Sequence, residues 1–311
     1  MKKKKTQYPE NVYTSLESLL SMEHLAMGFS FLAKKQKVKS ILGGKHASKL
    51  RGRGMDYEES RNYVPGDDIR NIDWKVTART QRTHTKVFSE EKEKPALIIV
   101  DQSQSMFFGS QFKTKATVAA EVAALAAFRV AREGDRVGGA VFSNDKMELL
   151  PPKRDRRNTL RFLEKIVSYN HQLDIEGDLT FEKQIHESII RVNNLVTHDF
   201  LVIIISDFIH YSEEMIKTLR IMNRKNDVIL ARISDPMDCT LPSEEITLGE
   251  GSRQILAKGN NKSLREKFKT GYEKNLHAFE ALMHQYRIPL IQLDTLGDVD
   301  KQLKEIIKMP K

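Results

Sequence analysis

The sequence predicts an α/β fold: a doubly wound, mostly parallel sheet with helices on both faces, preceded by a module of helix and short strands. Three observations carry this expectation. Short apolar runs at 96–100, 200–205 and 228–233 read as strands buried on both faces. Each run ends abruptly in polar residues, at Asp101, at Ser206-Asp207 and at Ser234-Asp235. Helical patterns separate the runs, and strictly alternating strand and helix is how a parallel sheet is wound.

In chain order, residues 12–39 carry an apolar pattern (Leu16, Leu19, Leu20, Leu25, Phe29, Leu32) expected to form one or two helices. The stretch 41–80 has glycines, charges and a Pro65-Gly66 turn, and Ile72, Trp74 and Val76 alternate as a short strand would. Lys86 to Phe88 begins another extended piece. After Asp101, the Ala-rich segment 113–133 is a helix whose small side chains suit close packing on a sheet, and Gly134 closes it. Residues 136–142 form a strand that turns at Ser143-Asn144-Asp145 into an antiparallel partner at 146–150. Helices follow at 157–169 and 181–193, then the strand ending at Ser206. A helix at 213–224, the strand 228–233, a hairpin across EITLGEGSRQILAKG, a long helix at 263–286, a strand at 289–293 and a helix at 299–309 complete the chain. The expected division is an N-terminal family module at 1–94 and the sheet domain at 95–311.

Composition bounds the function. No apolar run among the 311 residues approaches the ~20 needed to cross a bilayer, and the basic start MKKKKTQYPE has no apolar segment behind it, so neither a transmembrane segment nor a secretory signal is expected. One cysteine, Cys239, excludes an intrachain disulfide framework and fits a reducing, cytoplasmic setting. The net charge of +9 is uneven: from His24 to Met55 there is no acid, while Lys34, Lys35, Lys37, Lys39, Lys45, Lys49, Arg51 and Arg53 crowd together. Such a run can be a solvated face, or can bind nucleic acid or an anionic surface. No aromatic platform, zinc-ligand set or recognition-helix signature accompanies it, so nucleic acid is the alternative reading.

The candidate site is the end of the first sheet strand, where Asp101, Ser103 and Ser105 stand at i, i+2 and i+4. These are hard oxygen donors, suited to Mg²⁺ foremost, or to Mn²⁺ or Ca²⁺. Asp207 ends the other all-apolar strand and is expected to join them, although it, His210 or Ser212 can equally cap the following helix. In the loop before the 181–193 helix, Thr180 (or Asp178) is the available further ligand, and Thr180 can also be a plain N-cap.

The pattern D-x-S-x-S at a buried strand end resembles the von Willebrand factor A domain. That resemblance implies a metal-ion-dependent adhesion site: two serine hydroxyls, a threonine from a second loop, an aspartate from a third, and one position left for a partner's carboxylate. Alignment on Phe181 and Ile185 puts Leu179 where that threonine should stand, so the second loop departs from the pattern. Longer blocks are similar to the bacterial family called domain of unknown function fifty-eight, namely GKHASKLRGRGMDYEESRNYVPGDDIRNIDWKVTARTQRTHTKVFSEE, IIVDQSQSMFFG and ISDPMDCTLP. The family resemblance implies a von Willebrand A-like domain behind a family-specific module, and partnership with a MoxR-type AAA+ ATPase. Many relatives carry two membrane helices before the module; this chain shows none, which implies the soluble branch. The family marker is Arg61, Tyr63, Gly66, Asp67, Asp68, Arg70, Asp73, Trp74 and Arg79. Asp67 and Asp68 near Arg70 can be read as a second metal site or an acid–base pair. A salt-bridged turn is the economical alternative, with Asp68 or Asp73 paired to Arg61, Arg70 or Arg79. Trp74 is expected as a packing anchor.

Enzymatic readings lack their residues. An aspartyl-phosphate mechanism needs a second aspartate two positions after Asp101, where Ser103 stands. No G-x-S-x-G elbow frames Ser103 or Ser105, and the chain has neither a P-loop nor a G-x-G-x-x-G after a strand. The expected function is therefore a non-enzymatic, metal-dependent protein-binding module, an adaptor or co-chaperone.

Overall fold

In the computed structural model, the described residues are 8–26, 55–90, 94–174, 182–240, 245–250, 253–258 and 262–308. The chain divides into two compact units, Gly43–Glu93 and Met1–Leu42 with Lys94–Lys311. The division at 93/94 falls within one residue of the expected 94/95, but Met1–Leu42 groups with the sheet unit, because residues ahead of the small unit pack with the sheet. The reason lies in α1 (Leu16–Leu25), whose Leu19 is fully buried in the core that the sheet's helices share.

The small unit is a two-stranded antiparallel sheet of β1 (Met55–Asn62) and β2 (His84–Glu90), joined through a 3₁₀ turn at Ile69–Asn71 and helix α2 (Trp74–Thr80). The strand expected across Ile72 to Val76 is the start of α2 instead. Asp73 caps it by accepting from the Val76 N–H, and capping wins over a three-residue alternation. Gly66, at φ +106, makes the turn expected of Pro65-Gly66.

The large unit is built on a six-stranded sheet in the order β10-β7-β6-β3-β4-β5. Its strands are β3 (Ala96–Asp101), β4 (Val137–Phe142), β5 (Met147–Lys153), β6 (Leu201–Ser206), β7 (Asp227–Ser234) and β10 (Leu290–Asp294). All neighbours pair in parallel except β4 with β5, which are antiparallel. The hairpin β8 (Glu245–Glu250) with β9 (Arg253–Lys258) forms a separate two-stranded sheet, as its glycine turn predicts.

The period of two along β3 splits its side chains between two cores. Ile98 and Val100 face the layer of α1, α3 (Lys115–Arg132), α4 (Arg156–Asn170) and α9 (Val299–Lys308). Leu97 and Ile99 face the layer of α5 (Glu182–Leu195), α6 (Glu213–Asn223) and α8 (Lys262–Gln285). Seven fully buried alanines let α3 lie close to the sheet. Across β4 the packing is tighter still: a Cβ on Gly139 would stand 2.1 Å from Phe162 Cε2.

From β3 the chain winds outward through β4 to β5, then returns and winds the other way through β6 and β7 to β10. The strand order therefore reverses between β3 and β6. In open α/β sheets that reversal opens the crevice where ligands bind, outside the carboxyl ends of the strands.

Candidate functional site

Asp101 ends β3 and Ser206-Asp207 ends the neighbouring β6, so the fold delivers both predicted acids to the switch point. Asp101 is buried. Its Oδ1 accepts from the Ser103 N–H at 2.9 Å, and its Oδ2 accepts from the Ser206 hydroxyl at 2.6 Å. The first of these bonds folds the strand end into a turn that opens the 3₁₀ segment Gln104–Met106, and it sets Ser103 and Ser105 on one side. Their hydroxyl oxygens lie 3.0 Å apart.

The electrostatics are asymmetric. Burial, then the nearby charge of Asp207, push the Asp101 carboxyl up to about 6, against the hydrogen bonds from Ser103 and Ser206. Burial also opposes ionisation of Asp207, but the Lys115 ammonium outweighs it and holds that carboxyl below its ordinary value. Lys115 Nζ lies 2.8 Å from Asp207 Oδ2 and 3.3 Å from Asp238 Oδ1, and the three side chains are 2 to 6 % exposed. Asp238 is raised, because burial prevails there over Lys115. Asp207 Oδ1 also accepts from the Ile209 N–H at 3.2 Å. Between them, Phe208 takes a left-handed backbone, φ +49, in a buried position, a conformation that costs a bulky residue about 1–3 kcal/mol.

The fit to a hard divalent cation can be tested on these atoms. Ligands adjacent on a Mg²⁺ octahedron, with metal–oxygen distances of about 2.1 Å, lie about 3.0 Å apart. The Ser103 and Ser105 hydroxyls, 3.0 Å apart, match that edge. Asp101, buried without a cationic side chain hydrogen-bonded to it among the described residues, supplies charge that a cation would offset. Asp207 stands where expected, yet its carboxylate is already engaged by Lys115. Among the described residues no three His, Cys, Asp or Glu side chains gather into a group that could hold a metal ion. Thr180 and Asp178 lie outside the described residues, as do Lys34 to Arg53 of the basic run. Asp207 does not cap the following helix; Ser212 does, accepting from the Met215 N–H.

Sequence reasoning missed four participants. Ser206 braces Asp101. Lys115 and Asp238 neutralise and frame Asp207. Asn170 donates to Gln102 Oε1 and accepts from the Thr14 N–H, tying the strand-end loop to the segment before α1, while Gln102 Nε2 donates to the Ala116 carbonyl. One signal was available for Lys115: a lysine leading a helix of buried alanines has to find anionic partners.

The family marker is structural in its described contacts, but with different pairs. Arg61 bonds Asp67 at 2.6 Å, not Asp68 or Asp73, because Asp67 sits on the Pro65-Gly66 turn and also accepts from the Val64 N–H. Asp68 accepts from the Arg70 N–H, and Asp73 accepts from the Ser60 hydroxyl while capping α2. Trp74 is 70 % exposed and opens the seven-residue helix α2.

The fold and site define an α/β protein whose oxygen-rich strand ends meet at the switch point of a mostly parallel, helix-flanked sheet. The chain belongs to the family described as protein of unknown function DUF58, whose model matches residues 59–278. It is 30 % identical over 212 residues to uncharacterized proteins Rv1480 of Mycobacterium tuberculosis and Mb1516 of Mycobacterium bovis. The match covers 68 % of this chain and 65 % of the length of those relatives. Among solved structures, similar chains include BatB from Bacteroides thetaiotaomicron, at 16 % identity and TM-score 0.39, covering 69 % of this chain and 97 % of that one. An aerotolerance-related membrane protein from Bacteroides fragilis matches at 17 % and 0.40, covering 70 % and 100 %. In this chain no described helix is long and apolar enough to cross a membrane.

Proposed function

We propose that this DUF58 chain is a non-enzymatic protein-binding module of the von Willebrand A type, with a divalent-cation site at the end of β3. The observation that carries the reading is the Ser103–Ser105 hydroxyl pair, 3.0 Å apart beside the buried Asp101 at the sheet's switch point. Ser103 and Ser105 hold Mg²⁺ or Mn²⁺ directly. Asp101 fixes the loop through the Ser103 N–H and supplies charge, and Asp207 contributes charge from the neighbouring strand. A cation held there would supply the positive charge that attracts a carboxylate on a partner. Ser206 keeps Asp101 oriented, and Asp101 in turn holds the Ser103 backbone.

The partner in this reading is a client protein or a MoxR-type AAA+ ATPase, for which the module acts as adaptor or co-chaperone in the cytoplasm. Any nucleotide turnover then belongs to the partner. Calorimetric titration of Mg²⁺ and Mn²⁺ into the wild-type chain and an S103A/S105A variant tests the metal site. Heat of binding in the wild type and its loss in the variant are expected; identical titrations would sink the reading. Pull-down of the ATPase with and without chelator then tests the partnership, with capture that ignores the chelator counting against it.

A further inference from the structure

Lys115 is the first residue of α3, directly behind the Thr114 cap. A cation there opposes the helix dipole, and burial opposes it a second time. It is nonetheless 2 % exposed, with its Nζ donating to Asp207 at 2.8 Å and to Asp238 at 3.3 Å, and lying 5.9 Å from the centre of the Phe108 ring. Asp207 follows β6, and Asp238 lies in the short helix Pro236–Cys239 that follows β7. One side chain thus joins the start of α3 to the ends of two strands. A residue that breaks two local electrostatic rules at once is the kind of position where function overrides stability.

We propose that Lys115 is a built-in cation that withholds Asp207 and Asp238 from metal and confines a divalent ion to the Ser103 and Ser105 hydroxyls beside Asp101. This inference rests on the metal-site reading and deepens it, by naming the residue that keeps the site weak and exchangeable. Asp207 and Asp238 share one ammonium, and the neighbouring Asp101 has no cationic hydrogen-bond partner among the described residues, which leaves a deficit of positive charge. With that ammonium removed, Asp207 is released as a direct ligand and the deficit grows, so the site holds an ion more tightly. Lys115 is a positioning residue in this scheme: it acts on metal through Asp207. In the native chain, a carboxylate brought by a partner then supplies the affinity that Asp207 does not.

The test titrates Mn²⁺ into the full chain as wild type, K115M and K115R. Binding is followed by calorimetry and electron paramagnetic resonance, and Tm is measured in chelator and in Mn²⁺. K115M is expected to bind Mn²⁺ at least about tenfold more tightly, with a Tm that falls in chelator and recovers with Mn²⁺. K115R, which keeps the charge, stays close to wild type. Equal or weaker binding by K115M, or a Tm that Mn²⁺ does not raise, overturns the inference. If K115M is unfolded in chelator, refolding on addition of Mn²⁺ supports it, and failure to refold at any Mn²⁺ concentration overturns it. Binding by the wild type without a gain in K115M overturns the role of Lys115 and leaves the metal site standing. Binding by K115M alone does the reverse, and binding by neither overturns both.

Discussion

Ser206 donates its hydroxyl to Asp101 Oδ2 at 2.6 Å, joining two neighbouring strand ends that lie 105 positions apart in the chain. Both residues are buried, so the bond is made without competition from water. Replacing Ser206 by alanine leaves half of a buried carboxylate unsatisfied. S206A is expected to lose about 1–3 kcal/mol in urea unfolding. It should also weaken Mn²⁺ binding, because Asp101 then turns more freely. A variant with wild-type stability would show that Asp101 finds another donor.

The buried state of Asp101 sets a pH dependence of opposite sign to that of most aspartates. Its folded-state value, about 6, lies above the ordinary 3.8, so between these values the folded chain binds more protons than the unfolded one. This contribution to stability is fully present below about pH 4 and is lost as pH rises through 6. Its size is on the order of 3 kcal/mol. In chelator, D101N should therefore be more stable than wild type at pH 7, and the difference should vanish near pH 4. Thermal unfolding of the two proteins across that range checks this; a constant difference would show that Asp101 is not the titrating group.

Gly139 marks a close approach between β4 and the side chain of Phe162. A Cβ there meets the ring of Phe162, which is fully buried, so the ring has to shift. G139A is expected to lose about 1–3 kcal/mol, and F162L in the same chain should recover part of it, a coupling that a double-mutant cycle in urea measures. Additive losses would mean that the two side chains do not meet.

The sheet was legible because its central strands are buried on both faces and read as plain apolar runs. Ala96 to Val100 and Leu201 to Ile205 need no tertiary information to be recognised. Asp101, Ser103, Ser105 and Asp207 stood out for the same reason, since polar residues that end such a run lie at the carboxyl end of the strand. What escaped was what long-range pairing decides. Ser206 looked like the last residue of a strand, and nothing local to it predicts a partner 105 positions away. Lys115 looked like one of many surface lysines on a basic chain, because helical pattern does not reveal that Asp207 and Asp238 converge on its ammonium. Within the small unit, Ile72, Trp74 and Val76 misled because alternation over three residues is weaker than one capping aspartate. Likewise, which of Asp67, Asp68 and Asp73 meets Arg61 depends on the exact path of a turn.

The reversal of strand order between β3 and β6 also governs when the site comes into being. Asp101 is synthesised long before its partners: α3, β4, β5, α4 and α5 all intervene before Ser206 and Asp207 emerge, and Asp238 follows later still. Closing so long a loop carries an entropic cost that only the finished β3–β6 pairing offsets, and contacts of such sequence separation form late. Until then Lys115 has neither of its anions and Asp101 lacks its hydroxyl donor. The full constellation around Asp101, with Ser206 and the Asp207–Lys115–Asp238 cluster, therefore exists only in a chain whose central strands have already paired.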